Sequence, residues 1–337
     1  MTWQERRTIT ILSTILAVLC AALLIVLGMR YRENRDQPET PDGTVPGITA
    51  GDAASITALT YENGKTTLSF SLDEAGKWTW DGDPEFPLDT ATVDAILELL
   101  VSWTPQQTVT DSDAIANSGM DAPTASLTAS TESGSAITMT LGRATTDGNS
   151  YYMQLNDQED TVYIIPDTLY RLMCVPIYDM YILPELPELT ENTIASIVIR
   201  GAAAGEDSLP VITSLSAQRT EEGGAATWRC DGANVTDDET VQALLDDLSG
   251  MAFEKCVDYR PSDEAAEICG FTSPAATVDI RYLTEGGTEQ TLLLTIGTQA
   301  ADGTGRYVRM DEDSTIYLLP TASLDPLMRI SAKGLEG

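Results

Sequence analysis

The chain has 337 residues, of which 19 are lysine or arginine, 52 are aspartate or glutamate and none is histidine, so its formal net charge is −33. A surface this acidic repels phosphate backbones, which argues against a nucleic-acid partner. The lack of histidine excludes Ser-His-Asp and Cys-His catalytic pairs and removes the commonest zinc ligand, and the length allows two domains.

A hydrophobic segment follows a short N-terminal tail, residues 1–8. Residues 9–29 read ITILSTILAVLCAALLIVLGM and carry no charge, which is long enough for a helix to cross about 30 Å of hydrocarbon. A cleaved signal peptide has a shorter apolar core and a small-residue cleavage site, and a lipoprotein has a small residue where this chain has Leu19 before Cys20. We therefore expect an uncleaved transmembrane anchor that contacts the lipid bilayer through residues 9–29.

The arginines on the two sides of this segment nearly balance, so the positive-inside rule gives little preference for either orientation. Residues 30–53 form an acidic linker rich in Pro and Gly, which is typical of a flexible spacer. The linker and the hydroxyl-rich, lysine-poor body after it resemble an exported protein. We expect a single-pass protein of the cell membrane whose C-terminal repeats are extracellular.

The first repeat, residues 54–187 (repeat 1), opens with the β-like run SITALTYENGKTTLSFSL, in which Asn-Gly predicts a hairpin turn. A strand follows at Trp78, and an amphipathic helix is expected to start near Asp89. A shorter helix ends at Gly119, where a left-handed backbone favours glycine. The strands ASLTAS, AITMTLG, YYMQL and TVYIIP come next, and a short helix, DTLYRLM, closes the unit.

The second repeat, residues 188–333 (repeat 2), shows the same order after about 150 residues. SIVIRG and VITSLSAQRT precede a strand at Trp228, and Thr236 with Glu239 predicts a capped helix start. Gly270 ends a shorter helix; ATVDIRYL, TLLLTIG, RYVRM, TIYLLP and TASLDPLM follow. The apolar helix faces keep the same phase in both repeats: Val93, Ile96, Leu97 and Leu100 correspond to Val241, Leu244, Leu245 and Leu248. Four single residues also match between the repeats: Gly142 with Gly297, Tyr152 with Tyr307, Tyr163 with Tyr317, and Pro166 with Pro320.

The links between successive strands are too short to contain crossover helices, which indicates antiparallel pairing. The predicted fold class is therefore α+β: an N-terminal transmembrane helix followed by two tandem repeats of a mainly antiparallel sheet with packed helices.

The Trp strand, the helix, the Gly-x-x-x-Pro step, the LTIG strand and the YVR…IYLLP ending resemble the domain-of-unknown-function 4340 family. The resemblance covers nearly everything after the linker and fits the N-terminal anchor. It implies an extracytoplasmic accessory role, because members are often encoded beside ABC-transporter parts of the gliding-motility type. It assigns no catalytic residues.

Clustered carboxylates are the first features to weigh as sites, and they occur at 81–85, 157–160 and 311–313. Such clusters can bind calcium, but no stretch has the spacing of an EF-hand loop, and turn-forming or solvating roles explain these residues. Two converging carboxylates could serve a glycosidase, yet nothing in the sequence singles out a pair. The glycine-bearing loops 145–150 and 298–305 lack phosphate-loop spacing and predict hairpin connections.

Tyrosines recur on the predicted strands, where they pack on the core or form a glycan- or peptide-binding face: Tyr151, Tyr152, Tyr163, Tyr307 and Tyr317. The cysteines outside the anchor are Cys174, Cys230, Cys256 and Cys269. They could form disulfides in an exported protein. Their uneven distribution between the repeats favours free, buried thiols instead.

No catalytic, cofactor-binding or metal-binding residue is predicted. The sheet edges and the junction between the repeats, near the PELPEL segment at 184–189, are the expected partner surfaces. The first hypothesis is an anchored binding or accessory module that contacts ABC-transporter subunits or another envelope protein. The alternative is an envelope receptor for a ligand or glycan, or a carboxylate-based hydrolase.

Overall fold

The computed structural model describes residues 55–132, 134–203, 209–219 and 225–335. The predicted tail 1–8, anchor 9–29 and linker 30–53 lie outside these residues. Within the described ranges, no helix combines the length and the apolar character needed to cross a bilayer.

Repeat 1 forms one sheet with the strand order β3-β2-β1-β5-β6-β7-β8-β4. Its strands are β1 (Ile56–Glu62), β2 (Thr67–Leu72), β3 (Trp78–Trp80), β4 (Gln107–Val109), β5 (Ala125–Thr131), β6 (Ala136–Ala144), β7 (Ser150–Leu155) and β8 (Val162–Pro166). Its helices are α1 (Ala91–Ser102), α2 (Ser112–Ala116) and α3 (Thr168–Met173), followed by a 3₁₀ turn at Ile177–Met180.

Repeat 2 forms a second sheet with the order β12-β11-β10-β9-β14-β15-β16-β17-β13. Its strands are β9 (Ile194–Gly201), β10 (Ile212–Gln218), β11 (Thr227–Cys230), β12 (Ala233–Asn234), β13 (Lys255–Asp258), β14 (Ala276–Leu283), β15 (Glu289–Gln299), β16 (Gly305–Met310) and β17 (Ile316–Pro320). Its helices are α4 (Glu239–Ser249), α5 (Asp263–Ile268) and α6 (Asp325–Lys333), with a 3₁₀ turn at Thr321–Leu324 before α6.

The two sheets have the same topology once the short strand β12 is set aside. In each sheet the first two strands form a hairpin, and the first of them lies in the middle of the sheet. After the long helix, the chain adds the strands of the other half. Every strand pair between the described residues is antiparallel. The prediction of two tandem, mainly antiparallel α+β repeats is confirmed.

One face of each sheet carries the helices, because apolar residues alternate along the strands with period two. On β5, Ala125, Leu127 and Ala129 are buried, whereas the serines and threonines between them are half-exposed. The predicted apolar faces of both long helices turn to the core, with Val93, Ile96 and Leu100 buried on α1 and Val241, Leu244, Leu245 and Leu248 buried on α4. Leu97, predicted on the same face of α1, is only half-buried. A separate hydrophobic core therefore forms in each repeat.

Two glycine pairs fix the corner where each short helix meets the sheet. Gly119 and Gly270 have φ values of +83° and +86°, as the predicted helix ends require. Gly142 and Gly297 approach a backbone closely: a Cβ there would lie 2.3 Å from the carbonyl oxygen of Ser118 and 2.0 Å from that of Cys269. The corner is thus built identically in both repeats.

The predicted start of α4 at Thr236 with a capping box at Glu239 is wrong. Asp238 is the N-cap, and its Oδ1 accepts from the backbone N–H groups of Thr240 at 2.8 Å and Val241 at 3.1 Å. The hydroxyl of Thr236 instead accepts from the backbone N–H of Trp228 at 2.8 Å. A carboxylate nearer to the helix caps it, which leaves the threonine to tie the preceding loop to β11.

Candidate functional site

An aromatic cluster joins the two repeats. At its centre lies Phe86, in the loop between β3 and α1, with only 4% of its surface exposed. Its ring centroid is 5.3 Å from that of Tyr181 and 5.4 Å from that of Tyr259, both edge-on. Trp80 and Tyr178 lie 5.4 and 6.2 Å away. Tyr259 belongs to repeat 2, so a ring of repeat 2 packs into the hydrophobic core of repeat 1.

Carboxylates of repeat 1 hold the arginine that follows Tyr259. Nη1 of Arg260 lies 2.8 Å from Oδ2 of Asp83, and its Nη2 pairs with Oε2 of Glu85. The hydroxyl of Tyr259 donates to the backbone carbonyl of Glu85 at 3.2 Å. Arg260 adopts a φ of +64°, which is uncommon for a residue with a side chain. Because its side chain is 51% exposed, these ion pairs mainly set the orientation, whereas the aromatic packing supplies most of the stability.

Hydrogen bonds extend the contact between the repeats beyond the aromatic cluster. The hydroxyls of Tyr181 and Tyr317 lie 3.2 Å apart, and that of Tyr317 donates to Oδ2 of Asp313 at 2.8 Å. The hydroxyl of Tyr178 donates to Oδ1 of Asp258 at 3.2 Å. Burial raises the pKa of each of these tyrosines, and the neighbouring carboxylates add to the effect at Tyr178 and Tyr317. The phenols therefore stay protonated at neutral pH and act as donors. We call these residues together the inter-repeat junction: Asp83, Glu85, Phe86, Tyr178, Tyr181, Asp258, Tyr259, Arg260, Asp313 and Tyr317.

Three charged residues of the inter-repeat junction, Asp83, Glu85 and Arg260, lie in loops that differ in length between the two repeats. Residues 81–90 separate β3 from α1, whereas the shorter segment 231–238 separates β11 from α4. Residues 259–262 separate β13 from α5, whereas only 110–111 separate β4 from α2. Aligning the repeats by length would therefore have identified these loops, and reading 81–85 as a solvated turn missed the pairing of Asp83 and Glu85 with Arg260.

The other predicted acidic clusters lie at turns, as expected. Asp157 and Asp311 have left-handed φ values of 54° and 51° after β7 and β16. Oδ1 of Asp311 accepts from the backbone N–H of Leu293 at 2.9 Å, and Oδ1 of Asn156 does the same for Thr138. These side chains fasten one strand end to a neighbouring strand. Across the described ranges, no three His, Cys, Asp or Glu side chains come together in a way that could hold a metal ion.

The tyrosines predicted on strands divide between the two faces. Tyr151 packs against Tyr170 of α3, with ring centroids 4.6 Å apart, and Tyr163 is buried against Trp103. Tyr152 contacts the guanidinium of Arg143, which lies 5.8 Å from its ring centroid. Most of these tyrosines thus serve packing, and they do not form one continuous aromatic face. The loops 145–150 and 298–305 connect β6 to β7 and β15 to β16, as predicted.

The four cysteines of the described chain are free thiols. Cys256 and Cys269 are buried as expected, but Cys230 is only half-buried and Cys174 is exposed. Cys256 lies on β13, and burial raises the pKa of its thiol to about 12, with Asp258 and Asp313 adding to the effect. The expectation of burial is therefore wrong for Cys174, which sits at the C-cap of α3.

Several cavities between the described residues lie outside the inter-repeat junction, among them one of 250 Å³ beside Lys255 and Tyr307. Two others differ in their lining. One, of 170 Å³, opens in repeat 1 between the end of α1, the start of α3 and the helix side of the sheet, and its wall is mostly apolar. The other, of 430 Å³, lies in repeat 2 beside the turn between β14 and β15 and includes Glu188, Asn192, Tyr282 and Glu285.

The family of the domain of unknown function DUF4340 matches residues 78–174 and 228–331, one segment in each repeat. Each segment starts at the Trp strand, β3 or β11, and ends in or just after the closing helix. The structural units are larger, since β1 and β9 lie inside their sheets but precede the matched segments. No curated protein matches the chain. Because the two segments cover more than half of the chain in the same order of elements, the protein belongs to the DUF4340 family.

Proposed function

We propose that the protein is a membrane-anchored, extracytoplasmic binding or accessory module that works with an ABC transporter of the gliding-motility type. In this proposal residues 9–29 hold the chain in the bilayer, and the two repeats stand outside the cell membrane. The family resemblance supports the transporter, and the composition of residues 30–53 and of the repeats supports the extracellular location.

The observation that carries the proposal is the inter-repeat junction. It fixes two similar sheets to each other through buried rings and paired charges, so the module offers a partner one preorganised surface. A surface that is ordered before binding loses less entropy when the partner arrives. The strongly acidic chain favours a partner with basic patches and is repelled by anionic headgroups.

The helix-free faces of the sheets extend this surface. In repeat 1 the face carries rows of hydroxyls, in which Oγ1 of Thr60 donates to Oγ of Ser69 at 3.1 Å and the Oγ1 atoms of Thr128 and Thr138 lie 3.5 Å apart. Hydroxyls and exposed strand edges suit a polar protein partner.

Affinity purification of the full-length chain from mildly solubilised membranes, followed by mass spectrometry, tests this function. We expect ABC-transporter subunits to be recovered with the wild type and lost when residues 54–337 are deleted. Arg260→Glu should reduce recovery because it places a third carboxylate beside Asp83 and Glu85, whereas Lys65→Glu, the same charge change in the β1–β2 turn, should not. Recovery of the chain alone in every preparation would contradict the proposal.

The 430 Å³ cavity in repeat 2 favours an envelope receptor for a small polar ligand as the second candidate, because Glu188, Glu285 and Asn192 are among the residues that line it. Screening soluble sugars and amino acids against the full-length chain by a thermal-shift assay separates this role from the first. A stabilising ligand whose effect is lost in Asn192→Ala would support it.

A further inference from the structure

We infer that the 170 Å³ cavity of repeat 1 is an anchor pocket for one large apolar side chain of a basic peptide segment in the partner protein. This inference rests on the proposed binding role and names the chemistry of the partner.

The size and lining of the pocket define the occupant. Its apolar wall consists of Leu99, Leu100, Trp103, Met139, Ile165 and Leu169. A cavity of about 150 Å³ with a comparable lining holds one benzene molecule, whereas sites for whole metabolites or drugs measure about 300–1,000 Å³. A pocket of 170 Å³ therefore accommodates one phenylalanine- or leucine-sized side chain and is too small to enclose a whole drug-sized ligand.

The mouth of the pocket suits a polypeptide. Ser102, Thr104 and Thr168 line it and are exposed. The hydroxyl of Ser102 donates to the backbone carbonyl of Glu98 at 2.7 Å, and its oxygen can still accept from a backbone N–H of a bound segment. These hydroxyls favour a peptide, which brings backbone donors and acceptors, over a lipid acyl chain, which brings none.

The charge around the pocket indicates which residues should flank the apolar side chain in the bound peptide. Glu98 precedes Leu99 on α1, and Asp167 stands between the lining residues Pro166 and Thr168. The basic residues of repeat 1 are only Lys65, Lys77, Arg143 and Arg171, against many more carboxylates. A hydrophobic anchor with lysine or arginine on both sides complements this surface.

Repeat 2 carries a different kind of residue at the position equivalent to Leu99, which lines the pocket. Leu99 precedes Leu100, the last buried residue of α1, just as Asp247 precedes Leu248, the last buried residue of α4. The 3₁₀ turn and α6 pack against α4 in repeat 2, where the closing helix is longer than α3. The half-exposed leucine is thus a feature of repeat 1 alone, and the same position carries a charge in repeat 2.

Peptide titration of the full-length chain in phosphatidylcholine nanodiscs tests the pocket. The reporter is the ε-methyl group of Met139, observed by NMR after ¹³C-methyl-methionine labelling and assigned with Met139→Leu. We expect the peptide Lys-Lys-Phe-Lys-Lys to shift this signal saturably and Lys-Lys-Ala-Lys-Lys to bind about ten- to a hundredfold more weakly, the loss expected for one aromatic side chain. Glu-Glu-Phe-Glu-Glu should also bind more weakly than the lysine peptide.

Two variants act on the pocket by different routes. Leu99→Asp introduces the charge found in repeat 2, and Thr168→Trp fills the mouth from an exposed position; both should remove the Met139 shift. Ile268→Asp is the matched control, because it introduces the same charge at a 70% exposed residue of α5. It should leave the titration unchanged, and the remaining methionine signals report whether each variant is folded.

Equal shifts with the phenylalanine and alanine peptides, or none with either, would overturn the anchor pocket. Magnetisation transfer from lipid acyl protons to the Met139 methyl that peptide does not change would show a lipid chain in the pocket. It would overturn the proposal that a peptide side chain is the occupant. If transporter subunits are recovered equally with wild type and Leu99→Asp, the pocket fails while the proposed function stands. If no subunits are recovered with the wild type, the proposed function fails whatever the peptide does.

Discussion

At the scale of the residue, a thiol beside the inter-repeat junction lies where its ionised form is disfavoured. Cys256 is 2% exposed on β13, the strand that lies against the 3₁₀ turn of repeat 1. Burial and the carboxylates of Asp258 and Asp313 raise the pKa of its thiol from 9.0 to about 12. In the unfolded chain the thiol ionises near its ordinary value, so between these two values the unfolded state binds fewer protons than the folded state.

This difference predicts a loss of stability in alkali. The contribution of the protonated thiol to the free energy of unfolding is complete below pH 9. It is lost as the pH rises towards 12, at up to about 1.4 kcal/mol per pH unit for one thiol. The buried tyrosines of the junction add in the same direction. Urea unfolding at pH 8, 10 and 11.5 should show a shallower decline of stability in Cys256→Ala than in the wild type. Parallel declines in the two proteins would contradict the assignment.

At the scale of the element, the corner between each short helix and the sheet depends on a missing side chain. We expect Gly142→Ala and Gly297→Ala each to lower the free energy of unfolding by about 1–3 kcal/mol, because the added Cβ meets a backbone carbonyl that cannot rotate away. Gly286→Ala is the control, since its Cβ would lie 3.8 Å from the nearest atom, Oγ1 of Thr284. Urea denaturation measures all three, and a loss below about 0.5 kcal/mol in both corner variants would contradict the steric argument.

The regular elements were predictable from the sequence because their signals are local and occur twice. The spacing of Val93, Ile96 and Leu100 predicts a helix, and its repetition at Val241, Leu244 and Leu248 fixes the phase. The helix cap at Asp238 was missed because Thr236 and Asp238 are both good caps, and only the route of the preceding loop decides between them.

The contacts between the repeats were not predictable from local patterns. Phe86 and Tyr259 lie far apart in the sequence, and neither has a periodicity that indicates its partner. The anchor pocket depends on the exposure of Leu99, which helix periodicity alone places beside the core. In both places the signal was a difference between the repeats, in loop length or in residue type, rather than a motif.

At the scale of the whole molecule, the inter-repeat junction should make the stability of repeat 2 depend on a residue of repeat 1. Phe86→Ala removes the central ring and is expected to cost about 3–5 kcal/mol. Hydrogen exchange of the full-length chain should then accelerate in β13 and β17 as well as in repeat 1. Phe70→Ala is the control, because this residue is 0% exposed on β2 and its ring packs on Tyr61 of repeat 1. It should accelerate exchange in repeat 1 only, and unchanged exchange in β13 and β17 of Phe86→Ala would show that the repeats are uncoupled.

The two lengthened loops also determine how such units can assemble. A contact between the end of one unit and the start of a similar unit is heterologous, and such contacts repeat without limit unless the geometry closes. Here the loop with Asp83 and Glu85 occurs only in the first unit, and the loop with Tyr259 and Arg260 occurs only in the second. Each finds its complement within the same chain. A surface that could otherwise join molecules head to tail is therefore occupied inside the protein.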